Sequence, residues 1–400
     1  EAAVQNVPES LEEESRLDTV GTDQETERAA VREKKGQQEK EAGDTETDQA
    51  AAAQDELLAE LDFDAIQQEV DSLLSSQQFS FAGTVRSLLQ DGDPFRTFRA
   101  GNAVLSCAKT AFLAQKGLMK ELFLLVLAGA VLGSFSSLFE GKQVRDASFY
   151  MVYLLALALI LKNFQSSGEN LKAVITSLVA FMRILTPSYY LAAAAAGGAS
   201  SAVMFYQMLL LVILAVEKLL LALVLPMIHI YLLIALVNDL SGEEILSHMT
   251  ELLETCVNGL LKSSLGVLVG MQMIRNLIAP ALDSLRQMAL WRTAGMIPGI
   301  GNAVNAVTEL VAGSAVLIRN CFGVTAMLVL LAAGMVPAVQ LLVSGLSFRL
   351  LAAAAQPVSD KRIAGCLAAA GKGYAMLLRL LLTVEVLFLL TIAILAGTFS

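Results

Sequence analysis

The chain has 400 residues, of which 55% are hydrophobic and 16% are charged, and its mean hydropathy is +0.61. Because a soluble globular protein has roughly a quarter of its residues charged, this composition excludes an ordinary soluble enzyme. The net charge of −10 gives no support to nucleic-acid binding, which uses basic surface stripes. The apolar residues gather in long runs, so we expect an all-α, polytopic helical membrane protein with about seven to nine spans of ~20 residues each.

The acidic residues are concentrated at the N-terminus. Residues 1–60 hold 18 acidic and 6 basic residues, whereas the remaining 340 residues hold 20 acidic and 22 basic residues. Residues 1–54 have no aromatic side chain and few branched ones. Such a composition cannot bury enough apolar surface to offset the entropy lost on ordering. We therefore expect 1–54 to be a disordered acidic tail that proteases remove without loss of the folded remainder.

Amphipathic helices are predicted over 55–118. Apolar residues recur at helical spacing over about 55–75 and again over 79–92, where Ser80 is the expected N-cap. Residues 95–118 carry Arg96, Arg99, Lys109 and Lys116, a composition typical of a helix on an anionic membrane surface. We expect 55–118 to form an extramembrane or interfacial helical region, and 119–400 to form a multi-span membrane domain.

Polar segments and prolines interrupt the apolar runs of 119–400. The polar sequence KNFQSSGENLK separates two apolar segments, about 147–161 and 173–191, and predicts a turn between two spans. The apolar stretch 203–237 is too long for one untilted crossing at about 1.5 Å per residue. Proline interrupts helical hydrogen bonding. We therefore predict helix breaks at Pro187, Pro226, Pro298 and Pro337.

Residues 295–323 combine a breaker cluster with a polar stripe. The sequence Pro298-Gly-Ile-Gly predicts a helix that begins at about Asn302. From there Asn302, Asn305, Glu309 and Gly313 lie on one helical face. One interpretation is a seam at which membrane helices pack closely. The other is the lining of a wet pathway, since a carboxylate is unfavourable against lipid. Both interpretations predict that the stripe faces other helices.

Three further ionisable residues lie in apolar segments, namely Glu217, Lys218 and Glu385. The long side chain of Lys218 can extend its amine toward the membrane surface. Carboxylates near the middle of a span need a basic partner, a proton or water. Glu309 and Glu385 are therefore the stronger candidates for a functional role.

The sequence lacks the motifs that we would expect of an enzyme. His229 and His248 do not form a His-x-x-x-His pair, and no G-x-x-x-x-G-K-[ST] phosphate loop is present. The Gly299-x-Gly301 sequence lacks the preceding strand and the third glycine of a dinucleotide-binding fingerprint. The cysteines are scattered and show no CxxC pairing. We expect no catalytic residues, no cofactor and no metal.

Four stretches together resemble the stage III sporulation protein AE family of endospore-forming bacteria. They occur in the family's order, and the similarity covers roughly 55–400. The stretches are FSFAGTVRSLLQDG (79–92), MRILTPSYYLAAAAAGGASSA (182–202), IPGIGNAVNAVTELVAGSAVLIRNCFG (297–323) and QPVSDKRIAGCL (356–367).

The resemblance implies a precursor with a signal sequence, made in the mother cell and placed in the membrane around the forespore with its N-terminal region outside the cytoplasm. It also implies a non-enzymatic part of a channel, or feeding-tube, apparatus that acts with the other proteins of the stage III sporulation A operon and a forespore-side partner. The residues themselves leave an alternative open. A stand-alone secondary transporter would use midplane carboxylates and helices broken by proline.

Overall fold

The computed structural model describes residue 58 and residues 61–74, 79–91, 100–136, 142–195, 200–241, 246–294 and 301–397. The chain divides into two units, Glu1–Ala59 and Glu60–Ser400. Of the first unit the structure describes Leu58, and the remaining described residues belong to the second. The predicted disorder of 1–54 lies outside the described residues.

The described elements are all helical, which confirms the predicted all-α class. In chain order the helices are α1 (Phe63–Leu73), α2 (Phe81–Asp91), α3 (Ala100–Ser136), α4 (Lys142–Ala195), α5 (Ser200–Leu219), α6 (Leu225–Ser241), α7 (Ser247–Ala294), α8 (Gly301–Ala355) and α9 (Lys361–Gly397). A π-helical turn, Leu220–Val224, joins α5 to α6.

Five segments are long and apolar enough to cross a membrane, as judged by length and composition. They are Tyr150–Tyr189, Leu210–Ser241, Ser247–Ile274, Gly313–Ala355 and Lys361–Ile394. The protein is thus an all-α membrane protein, as predicted. The expected count of about seven to nine spans of ~20 residues is higher than the five found among the described residues, because segments predicted as separate spans form single longer helices.

The polar sequence 162–172 is the clearest example. It was predicted to be a turn, but it lies inside the 54-residue helix α4. The side-chain amide of Asn163 donates to the hydroxyl of Tyr374 in α9 at 2.6 Å, and the Ser167 hydroxyl lies 3.2 Å from the same oxygen. Because these polar side chains have partners inside the bundle, the helix continues through them.

The prolines interrupt the helices less than predicted. α4 and α8 run continuously through Pro187 and Pro337, where breaks were expected. Neighbouring helices in a bundle can satisfy the backbone groups that a proline leaves free, so the helix need not end. Pro226 follows the π-helical turn, in which the Leu225 N–H donates to the Leu220 carbonyl. This wider turn gives room to a proline ring. Pro298 lies outside the described residues.

The helices α8 and α9 form the most extensive contact in the bundle, and α3, α4 and α6 pack against this pair. Small residues allow the close approach of the two helices. A Cβ on Gly371 would lie 3.3 Å from the carbonyl oxygen of Gly345 and 2.8 Å from Cγ of Arg349. Larger residues here would push the helices apart.

Two short helices, α1 and α2, occur where amphipathic helices were predicted. The Ser80 hydroxyl accepts from the Gly83 N–H at 3.1 Å, as expected of an N-cap. The side chain of Gln67 joins the two helices, because its Nε2 donates to the Phe79 carbonyl at 2.7 Å and its Oε1 accepts from the Phe81 N–H at 2.8 Å. The predicted boundary at residue 118 falls within α3, which is continuous from 100 to 136.

An aromatic cluster packs α1 and α2 onto α4 and α8. We define it as Phe63, Phe81, Tyr189 and Phe322. The ring centroid of Phe322 lies 4.9 Å from that of Phe81, 6.1 Å from that of Phe63 and 6.2 Å from that of Tyr189. The cluster therefore marks the end of the bundle at which α1 and α2 lie.

Candidate functional site

A polar cleft lies between α3, α4 and α8. It has two adjoining parts, with volumes of about 330 and 690 Å³, that share Ser167, Asn170, Gln340 and Ser344. Hydroxyl and amide side chains of all three helices line it, and the described lining residues include no charged side chain. The cleft can therefore hold water or an uncharged polar group through hydrogen bonds, but it offers no counter-charge to an ion.

Two features of the cleft wall bear on what it can hold. Asn163 and Ser167 are held by the Tyr374 hydroxyl, which fixes this side of the cleft. Across from them on α3, the side-chain nitrogen of Gln115 is buried and has no hydrogen-bond partner among the described residues. A buried donor without an acceptor costs about 1–3 kcal/mol. Because protein atoms enclose this nitrogen, water in the cleft does not reach it.

The cleft borders the central parts of two candidate membrane spans, Tyr150–Tyr189 and Gly313–Ala355. Gly334 is the middle residue of the span Gly313–Ala355. Gln340 follows six residues later, ~9 Å along α8 at about 1.5 Å per residue. Amide and hydroxyl groups are unfavourable against lipid, so a cleft lined by them within candidate spans favours an interior filled with water or solute.

The structure describes only part of the predicted polar stripe on α8. Its backbone is helical from Gly301 onward, but the side chains of Asn302, Asn305 and Glu309 lie outside the described residues. Gly313 is exposed, and a Cβ there would meet no atom within 4 Å. Among the described residues, therefore, none packs closely against Gly313, although the adjoining Ser314 and Ala315 are buried.

Glu217 and Lys218, the adjacent ionisable residues of the 203–237 stretch, differ in their surroundings. Glu217 is half-buried beside a small apolar cavity that is also lined by Leu268 of α7 and Phe388 of α9. Arg183 of α4 interacts electrostatically with its carboxylate. Lys218 is exposed. The structure thus gives Glu217 a basic neighbour, one of the three conditions expected of an intramembrane carboxylate.

Glu385 differs from Glu217 because it is buried deep in the bundle. Its side chain is 8% exposed, and its Oε1 atom has no hydrogen-bond partner among the described residues. The carboxyl group lies against Gly334 of α8, in the space that a Cβ on Gly334 would occupy. The structure therefore brings Glu385 together with the middle of the Gly313–Ala355 span.

The cleft itself was not predicted from the sequence, although two signals for it are present. One is the polar sequence 162–172, which was interpreted as a turn. The other is Gln340 with Ser344, which lie on one helical face of an otherwise apolar segment. Among the described residues, no group of three or more His, Cys, Asp or Glu side chains could hold a metal ion.

Comparison with known proteins supports the resemblance described above. The profile of the stage III sporulation protein AE family matches residues 79–398. The stage III sporulation protein AE of Bacillus subtilis (strain 168) is 22% identical over 291 residues, which are 72% of this chain and 73% of that protein. No solved structure matches the chain. Since the family profile covers most of the sequence, this chain belongs to the stage III sporulation protein AE family.

Proposed function

We propose that this protein is a non-enzymatic membrane subunit of the channel, or feeding-tube, apparatus that connects the mother cell to the forespore and is required for endospore development. Membership of a sporulation family and five candidate membrane spans support this proposal. In it, the protein lies in the mother-cell membrane around the forespore. Its partners are the other proteins of the stage III sporulation A operon and a forespore-side protein.

The polar cleft is the observation that favours a conduit over a scaffold. A scaffold has no need of a cleft lined by hydroxyl and amide groups within candidate membrane spans, since such groups are unfavourable against lipid. The helices that form the cleft also carry exposed charged side chains, namely Lys109 and Lys116 on α3 and Lys162 and Glu169 on α4. Charged side chains need water, so this side of the bundle is suited to face an aqueous path in the assembled apparatus.

The same cleft and the buried Glu385 also favour a second candidate, a stand-alone secondary transporter. Such proteins place their binding site near the membrane midplane, and this cleft borders the central parts of two candidate spans. The two candidates differ in their need for partners. A channel subunit acts in an assembly, whereas a stand-alone transporter does not.

A cleft variant tests the conduit proposal in the sporulating organism that carries this protein. Gln340→Leu removes an exposed amide from the cleft wall and leaves α8 helical, since leucine is a good helix former. We expect normal accumulation in the membrane but fewer heat-resistant spores, because the loss of ~1.4 kcal/mol of solute stabilisation weakens solute binding about tenfold. The matched control is Gln272→Leu on α7, outside the cleft, which should sporulate normally.

Purification of the tagged full chain from sporulating cells separates the candidates. We expect the other operon proteins and the forespore-side partner to elute with both the wild type and Gln340→Leu. Wild-type sporulation of Gln340→Leu would refute the conduit role and leave a scaffold. A chain that elutes alone while Gln340→Leu still fails would favour the stand-alone transporter.

We also propose that the N-terminal helices lie outside the mother-cell cytoplasm. The aromatic cluster places α1 and α2 near Phe322, whereas residues 356–360 join α8 to α9 at the far end of α8. Lys361 and Arg362 follow that connection directly. Since short cytoplasmic loops are rich in Lys and Arg, this end of the bundle suits the cytoplasmic side.

Cysteine labelling in intact protoplasts tests this orientation. In a chain whose native cysteines are replaced by alanine, we expect Ser10→Cys to react with a membrane-impermeant thiol reagent. Val358→Cys, at a position that is 53% exposed, should react only after the membrane is permeabilised. The reverse pattern would show that the orientation is inverted.

A further inference from the structure

The buried surroundings of Glu385 disfavour the ionised form of its carboxyl group. The side chain is 8% exposed, and Oε1 is buried without a hydrogen-bond partner among the described residues. An ionised carboxylate in such a place would have lost its water without gaining a counter-charge or a donor. A neutral carboxylic acid avoids this, and it gains one O–H group that can donate a hydrogen bond.

The backbone next to Glu385 offers a suitable acceptor. The carboxyl group lies against Gly334 of α8, whose lack of a Cβ leaves the space that the carboxyl occupies. Three residues later comes Pro337, which has no N–H and cannot donate to the carbonyl of Ala333 as an α-helical residue would. Ala333 is bonded directly to Gly334. The Ala333 carbonyl, which lacks its helical donor, is therefore next to Gly334, and Gly334 is the residue that the Glu385 carboxyl touches.

The charged groups that the neighbouring helices present to α9 lie at other positions. None of the described residues forms an ion pair with Glu385 in the structure. Glu217 borders an apolar cavity that is lined by Val384 and Leu387 rather than by Glu385. Asp239 of α6 lies beside Gly365, Arg349 of α8 lies beside Gly371, and Arg379 of α9 donates to Asn258 of α7 at 3.0 Å. Arg319 of α8 is also buried, but it precedes Gly334 by 15 residues, ~22 Å along the helix at about 1.5 Å per residue.

We propose that Glu385 is a proton-binding site in the middle of the bundle, where the protonated carboxyl group donates its O–H to the Ala333 carbonyl that Pro337 leaves free. The carboxylate takes one proton from a hydronium ion of the solution, which becomes water, and the carboxylate becomes a neutral acid. A buried acid that stays neutral in order to donate a hydrogen bond is known chemistry for carboxyl groups in apolar sites. The site is independent of the proposed channel role, since its ligand is a proton and its partners are within this chain.

Infrared spectroscopy of the purified full chain in lipid tests the proposal. The chain carries glutamate labelled with carbon-13 at the side-chain carboxyl. At neutral pH we expect a carbonyl band of a protonated acid that shifts on labelling and on exchange into heavy water. Solvent-exposed glutamates are ionised at this pH and do not contribute. The band should disappear in Glu385→Gln, which is expected to fold because its amide N–H can donate to the same carbonyl.

Two controls and one further variant sharpen the result. Glu217→Gln and Glu309→Gln should leave the band unchanged. Pro337→Ala restores an N–H at position 337 that competes for the Ala333 carbonyl, so the acid band should move to higher frequency as its O–H loses the acceptor. If Glu385→Gln does not fold, the labelled wild type and the two control variants still identify the source of the band.

The proposal is overturned if the labelled wild type shows no protonated-acid band at neutral pH. It is also overturned if the band persists in Glu385→Gln, or if it is lost in Glu217→Gln or Glu309→Gln. A band that Pro337→Ala does not move would refute the Ala333 carbonyl as the acceptor.

Discussion

Phe322→Ala is expected to lower the free energy of unfolding by about 3–5 kcal/mol, the usual effect of removing a fully buried phenylalanine. Phe322 is 0% exposed and touches the rings of Phe63, Phe81 and Tyr189. The alanine variant loses the contacts that hold α1 and α2 on the bundle. Thermal unfolding in detergent measures the loss, and hydrogen exchange should become faster over residues 61–91 than over α9.

Phe112→Ala on α3 is the matched control for this prediction. Phe112 is 58% exposed, so its removal should change the free energy of unfolding by no more than about 0.5 kcal/mol. Equal losses for Phe112→Ala and Phe322→Ala would contradict the aromatic cluster. So would unchanged hydrogen exchange in α1 and α2 of the Phe322→Ala chain.

Gly334→Ala is expected to destabilise the contact between α8 and α9, because the added Cβ would overlap the carboxyl group of Glu385. Overpacking of this kind costs about 1–3 kcal/mol, and more where the neighbours cannot move. Thermal unfolding of the purified chain measures the effect. Gly266→Ala on α7 is the control, since a Cβ there meets no atom within 4 Å. Alanine should stabilise that helix by up to ~1 kcal/mol.

A double-mutant cycle assigns the effect of Gly334→Ala to Glu385. In the presence of Glu385→Ala the carboxyl is absent, so adding Gly334→Ala should then cost little. We expect the two substitutions to be non-additive by about 0.5–3 kcal/mol, as for other residues in direct contact. Strictly additive effects would show that Glu385 does not occupy the space beside Gly334.

One segment of α8, residues 333–344, borders both the polar cleft and Glu385. Pro337, Gln340 and Ser344 line the cleft, whereas Gly334 touches the Glu385 carboxyl. A change at Pro337 therefore alters the cleft wall and the backbone beside Glu385 together. Gln340→Leu alters the cleft alone, which is why it, and not a proline variant, tests the conduit role.

The sequence by itself determined the membrane class, the family and the two amphipathic helices α1 and α2. Long apolar runs indicate membrane helices whatever their neighbours, because the bilayer acts on each span separately. The N-cap at Ser80 is likewise local, since its donor lies three residues away in Gly83. The sequence also identified Glu385, because a carboxylate in an apolar span is conspicuous without any structure.

Tertiary structure alone decided the continuity of the helices and the position of the cleft. The sequence of 162–172 alone predicts a turn. In the structure, Asn163 finds a hydrogen-bond partner in Tyr374, which lies 211 positions away in the chain. Pro337 alone predicts a break, but α8 runs through it between the Glu385 contact at Gly334 and the cleft at Gln340. In the same way, the sequence does not distinguish Gly334 from the other small residues, whereas the structure shows the Glu385 carboxyl against it. These features depend on pairs of groups far apart in the chain, and local spacing carries no information about which distant groups meet.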